Sequence, residues 1–81
     1  MDFLIIDDDK IFREATCLLI EDEGHYVQTA ANAEAALACV REEKFDAALL
    51  DLNLGRDNGL TVLPMILKIR PNLPVVMFSA K

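Results

Sequence analysis

The chain has 81 residues, 53% of them hydrophobic, with three Gly and three Pro. That composition excludes a disordered or low-complexity segment and allows one small domain. Fourteen Asp and Glu against eight Lys and Arg leave a formal net charge of −6, which argues against a nucleic-acid backbone as partner. No apolar run approaches the roughly 20 residues that span a bilayer. The segment Met1 to Ile6 is acidic and too short for a secretory signal. No membrane association and a reducing, cytoplasmic setting are therefore expected. Cys17 and Cys39 fit that setting: with no CxxC and no His cluster nearby, they read as free thiols acting as small hydrophobes.

Leu4-Ile5-Ile6 is a short apolar run that stops at Asp7-Asp8-Asp9, as a buried strand does. Ile11, Ala15, Leu18 and Leu19 follow at the spacing of one helix face. Asp9 suits its N-cap, and Gly24 suits a left-handed end. Tyr26 to Ala30 reads as a second strand. Asn32 caps a second helix with Ala33, Ala36, Leu37 and Val40 on its inner face. Asp46 to Asp51 is a third strand, again apolar and ended by an acid. Leu52 to Asn58 reads as a loop rich in turn residues. Leu60, Leu63 and Leu67 mark a third helix closing before Pro71, with its core face on those leucines. Pro64 lies inside this pattern and predicts either a late start near Leu63 or a kink. Pro74 leads into a fourth strand, Val75 to Phe78.

Strand and helix alternate throughout, which predicts an α/β fold: a doubly wound parallel sheet with helices on both faces. The last strand stops at the chain end. Residues 1–81 are thus expected to be one incomplete domain, truncated after the fourth strand and missing a helix-strand-helix of roughly 40 residues.

Ligands of open parallel sheets bind beyond the carboxyl ends of the strands. Here those ends carry Asp7 and Asp8, then Asp51, then Ser79. An Asp that starts a helix is by itself ordinary capping chemistry. Three carboxylates converging from neighbouring strands are different, because they repel unless a cation neutralises them. A hard divalent ion such as Mg²⁺ suits this set.

The ordered set Ile5-Ile6-Asp7-Asp8-Asp9, Asp22-Glu23-Gly24-His25-Tyr26-Val27, Ala33-Glu34-Ala35-Ala36-Leu37, Phe45-Asp46, Leu50-Asp51-Leu52, Asn58-Gly59-Leu60 and Pro74-Val75 to Ser79-Ala80 resembles the receiver (CheY-like) domain of two-component response regulators. The resemblance implies a flavodoxin/CheY-like three-layer fold and phosphorylation by a sensor histidine kinase. It implies that Asp51 is the phosphoacceptor. Asp8 would be the direct Mg²⁺ ligand, and Asp7 would act mainly through water. The backbone carbonyl of Asn53 would complete the metal site, and its side chain would flank the phosphoryl group. Ser79 would be the switch hydroxyl, with Ala80 leaving room beside it. Arg13 and Glu14 would be exposed residues available to the kinase.

Asp51 to Gly59 is similar to receivers of NtrC-type transcriptional activators. That similarity implies a C-terminal effector with an ATPase and a DNA-binding domain. Two family features are missing. The loop after the acceptor lacks its usual proline, and Lys81 follows the fourth strand rather than the fifth. Without the remaining elements, the chain is expected to be marginally stable, domain-swapped or paired as a homodimer. Two other readings compete. Asp7-Asp8-Asp9 also fits the Asp-x-Asp of haloacid-dehalogenase-like phosphatases, with Asp7 as nucleophile, but leaves Asp51 without a role. A pseudo-receiver would keep the fold as a binding module without phosphorylation. His25 reads as a surface residue far from the acidic rim, and Glu21-Asp22-Glu23 as a solvated helix end.

Overall fold

The structure, a computed structural model, describes residues 1–79. The elements are β1 (Asp2–Ile6), α1 (Lys10–Asp22), β2 (Tyr26–Ala30), α2 (Ala33–Glu42), β3 (Ala47–Asp51), β4 (Asn53–Leu54), β5 (Asp57–Asn58), α3 (Gly59–Ile69) and β6 (Val75–Phe78). The four long strands form a parallel sheet in the order β2-β1-β3-β6. This is the doubly wound arrangement expected, with β6 as the predicted fourth strand. Ile6 is in register with Ala30 on one side and Leu50 on the other, and Asp51 is in register with Phe78. The strand ends carrying Asp7, Asp51 and Ser79 therefore share one rim.

Side chains alternate across each strand. Leu4, Ile6, Ala48 and Leu50 face one layer and pack with Ala36 and Val40 of α2 and Val62 and Ile66 of α3. Each fully buried aliphatic side chain there contributes about 2 kcal/mol. Ile5 is also fully buried but lies outside that cluster, on the face covered by α1. Capping proceeds as the sequence predicts. The Asp9 carboxylate accepts from the amides of Ile11 (3.0 Å) and Phe12 (3.2 Å), and Asn32 Oδ1 accepts from Ala35 N (2.8 Å). Gly24 ends α1 with φ +89°. Arg70 ties the two inner helices together, its Nε donating to the carbonyl of Val40 at 2.8 Å. Both cysteines are free. Among the described residues, no helix is long and apolar enough to cross a membrane.

Four expectations need correction. First, the apolar stripe of α1 does not face inward. Ile11, Leu18 and Leu19 are 80%, 68% and 71% exposed, and the half-buried positions are Arg13, Thr16, Cys17 and Ile20. Among the described residues, nothing covers the outer side of α1. Second, the predicted loop contains an antiparallel hairpin, β4 with β5, joined by Gly55-Arg56. Gly55 has φ +64° and Arg56 does not enter the left-handed region, the pattern of a type II′ turn. Third, of the two alternatives for α3 the late start near Leu63 does not hold: the helix starts at Gly59, with Pro64 inside it. Pro64 is exposed, so the carbonyl its ring leaves unbonded can reach water. Fourth, Leu60 is exposed, and the fully buried apolar side chains of α3 are Val62 and Ile66; Leu63 and Leu67 are half-buried.

Candidate functional site

The acidic cluster forms as predicted. Asp7, Asp8 and Asp51 each place one carboxylate oxygen within 4.8 Å of the others. Asp7 follows β1 directly and Asp51 ends β3; the two are 0% and 1% exposed. Their backbones are clamped by the sheet, with Asp7 N donating to Ala30 O (3.0 Å) and Leu52 N to Phe78 O (2.8 Å). One oxygen of each buried acid is held by a local amide. Asp7 Oδ1 accepts from Asp9 N (2.9 Å), and Asp51 Oδ1 accepts from Asn53 N (3.0 Å).

The remaining oxygens are the informative ones. Asp7 Oδ2, Asp8 Oδ1 and Asp51 Oδ2 are buried with no hydrogen-bond partner among the described residues. Unsatisfied buried anionic oxygens are costly. A divalent cation with oxygen ligands satisfies all three, so the donor set fits that group.

The electrostatics agree. Burial is the main cause that pushes the Asp7 carboxyl above its usual 3.8, and the charges of Asp51 and Asp8 push it further, against the opposing pull of the Asp9 amide. The folded chain therefore holds a proton on Asp7 more readily than the unfolded chain does. With no cation bound, the stability contributed by that proton is present at low pH. It is lost as pH rises from about 3.8 through the raised folded value. Denaturant unfolding at a series of pH values, without divalent ions, should show this fall. Asp7→Asn should flatten it; equal slopes for the two chains would contradict the assignment.

Three contacts around the cluster were not legible as motifs. Arg13 Nη1 donates to the carbonyl of Asp7 at 2.8 Å, so this half-buried guanidinium braces the rim rather than standing free on the surface as expected. Gly55 approaches the cluster so closely that a Cβ there would lie 3.2 Å from Asp8 Oδ2. Gly59 abuts the backbone of Asp51: a Cβ would sit inside the contact shell of its carbonyl oxygen and 2.9 Å from Leu52 Cα. Glu14 is exposed as expected and pairs only loosely with Lys10, at 4.0 Å. Asn53 is exposed and opens the hairpin. Ser79 is exposed and immediately follows β6, one residue past the register partner of Asp51. Ala80 and Lys81 lie outside the described residues. His25 lies at the other end of β1, edge-on to Phe3 with its Nδ1 3.2 Å from the N-terminal amine.

The chain belongs to a class of signalling domain: residues 3–81 match the response regulator receiver domain family. A similar curated protein is the alginate biosynthesis transcriptional regulatory protein AlgB of Pseudomonas aeruginosa. It is 39% identical over 77 residues, which are 95% of this chain and 17% of AlgB. The chain thus spans about a sixth of that relative's length. A response regulator from Burkholderia pseudomallei, solved with a phosphorylated aspartic acid, calcium ion and citrate, superposes with a TM-score of 0.93. It is 30% identical, with 99% of this chain and 47% of that chain covered. NtrX from Brucella abortus in complex with ADP gives a TM-score of 0.91 at 39% identity, covering 96% of this chain and 18% of that one. The flavodoxin/CheY-like expectation is borne out. The dehalogenase-like reading finds no support, and Asp51, which it left idle, stands inside the cluster.

Proposed function

We propose that this chain is the phosphorylation-dependent receiver of a two-component system and accepts a phosphoryl group from a sensor histidine kinase on Asp51. The observation that carries the reading is the trio of buried, unpartnered carboxylate oxygens at the ends of β1 and β3. Asp7, Asp8, Asp51 and the backbone carbonyl of Asn53 would hold Mg²⁺. Bound there, the ion supplies charge neutralisation for the transferring phosphoryl oxygens.

The chain's own residues do the rest. Asn53 N fixes one oxygen of Asp51, and the rigid strand end aims the carboxylate, so attack needs little reorganisation. A new O–P bond forms at Asp51 as the P–N bond of the kinase phosphohistidine breaks, and the electron pair stays on the imidazole nitrogen. Near-complete burial keeps bulk water from competing. Ser79 then donates its hydroxyl to a phosphoryl oxygen, and the Asn53 side chain, beside the group, sets how quickly water removes it. The chain so acts as a phosphoacceptor with self-phosphorylation and autodephosphorylation chemistry. The added charge of about −1.5 to −2 biases the surface read by the partner. A cytoplasmic setting, a C-terminal effector combining an ATPase with DNA binding, and homodimer or swapped assembly complete the reading. The much greater length of relatives such as AlgB supports the effector.

The test is incubation with acetyl phosphate, with and without Mg²⁺, followed by mass-spectrometric mapping. One phosphoryl group on Asp51, dependent on the cation, is expected. Modification of Asp7 with Asp51 untouched would instead revive the phosphatase chemistry. No response to millimolar metal or to the donor would leave a passive binding module.

A further inference from the structure

We propose that Asp57, which has no part in the acidic cluster, is a positioning residue for it. Its carboxylate, hydrogen-bonded to the first amide of α2, holds the β4–β5 hairpin against Asp8. The inference rests on the reading of the cluster as a divalent-cation site.

The hairpin is fastened at four places. Asn53 N donates to Asp51 Oδ1 at 3.0 Å. Leu54 is 2% exposed and belongs to the core under α2 and α3. Gly55 lies against Asp8 Oδ2. Asp57 Oδ2 accepts from Ala33 N at 3.0 Å. The first three act at the acceptor strand, in the core or at the cluster itself. Among the described residues, Asp57 alone makes a side-chain hydrogen bond from the hairpin to α2. Ala33 begins α2, and its amide is one that the Asn32 cap does not take, since Asn32 serves Ala35. A carboxylate at this end of a helix also complements the helix dipole.

These bonds close a ring. The end of β1 is bonded to the end of β2 through Asp7 N and Ala30 O. The chain runs from Ala30 through Asn32 into α2, Asp57 joins the start of α2 to the hairpin, and the hairpin returns through Asn53 to Asp51. The pairing of β3 with β1 completes the ring; Asp7 and Asp51 are links in it, and Asp8 lies against its Gly55. Cutting it at Asp57 frees the hairpin on its outer side. The segment that carries the Asn53 carbonyl and rests on Asp8 then loses its fixed height above the cluster.

The experiment measures Mg²⁺ affinity by calorimetry and exchange of the Ala33 amide by NMR, using the whole chain. Asp57→Ala is expected to weaken Mg²⁺ roughly tenfold, the lower end for loss of a supporting group around a metal. Asp57→Asn keeps an acceptor oxygen and should restore affinity to within about twofold, well below that supporting-group range. Asn32→Ala removes the other cap of α2 and should leave Mg²⁺ affinity unchanged, which separates positioning from general weakening of the helix. Linkage is reciprocal, so saturating Mg²⁺ should slow Ala33 exchange in the unaltered chain. That measurement decides the matter if Asp57→Ala does not fold. An unaltered chain that ignores Mg²⁺ defeats the cation-site reading and this inference with it. An unaltered chain that binds Mg²⁺, with Asp57→Ala equal to it, Asn32→Ala as weak as Asp57→Ala, or Ala33 exchange unmoved by Mg²⁺, overturns this inference alone.

Discussion

Asp51→Asn is expected to abolish phosphoryl uptake and, without divalent cation, to stabilise the chain by about 1–2 kcal/mol. The two effects have one cause. The substitution removes the nucleophilic oxygen pair and with it a negative charge packed against Asp7 and Asp8. The amide oxygen still accepts from Asn53 N, replacing the 3.0 Å bond that Asp51 Oδ1 makes. Its NH₂ group can donate to Asp7 Oδ2, which has no partner among the described residues. With Mg²⁺ present the order should reverse, because the parent gains binding energy that the variant has largely lost. Thermal unfolding of both chains with and without the ion checks this. A variant destabilised in both conditions would mean that the carboxylate is structural rather than poised for chemistry.

Gly59→Ala is expected to cost about 3 kcal/mol of stability and to lower phosphoryl uptake at the same time. The strain comes from close approach. The first residue of α3 stands on the peptide joining Asp51 to Leu52, its own N–H donates to Leu52 O at 2.9 Å, and the atoms a methyl would meet are backbone. Backbone cannot rotate aside as a flexible side chain can. Either α3 lifts away from β3, uncovering Val62 and Ile66, or the acceptor residue is displaced. Denaturant unfolding and phosphodonor labelling of the same sample measure both losses. A fully stable variant would show that α3 can move away from β3 at little cost.

The layout was legible where apolar runs end abruptly. Leu4 to Ile6 and Ala47 to Leu50 are covered on both faces, so they read as continuous apolar stretches, and the acids that stop them mark the rim. Asp9, Asn32 and Gly24 announced helix ends because each performs a local task that needs no distant partner. The hairpin was not legible because strands of two residues are too short for alternation to register. Leu54 looks like a stray apolar residue in a polar loop, and the one usable signal was Gly55-Arg56 as a Gly-X hairpin turn. The α1 stripe misled for another reason. Periodicity identifies an apolar face but not whether anything covers it, and the inward positions Arg13, Thr16 and Cys17 do not look like core. Pro64 does not delay the start of α3, because its cost depends on whether the orphaned carbonyl is wet, which is a tertiary fact.

The central place of β1 in the sheet has a kinetic corollary. Neither the N-terminal βαβ unit of β1, α1 and β2 nor the segment after it owns a complete set of metal ligands. The cluster exists only once β3 has docked beside β1, past the whole β2–α2 crossover. Docking must push Asp51 against Asp7 and Asp8, so electrostatic repulsion opposes a late step of assembly. Millimolar divalent ion should then act as a folding accelerant as well as a stabiliser, and refolding rates with and without the ion measure this.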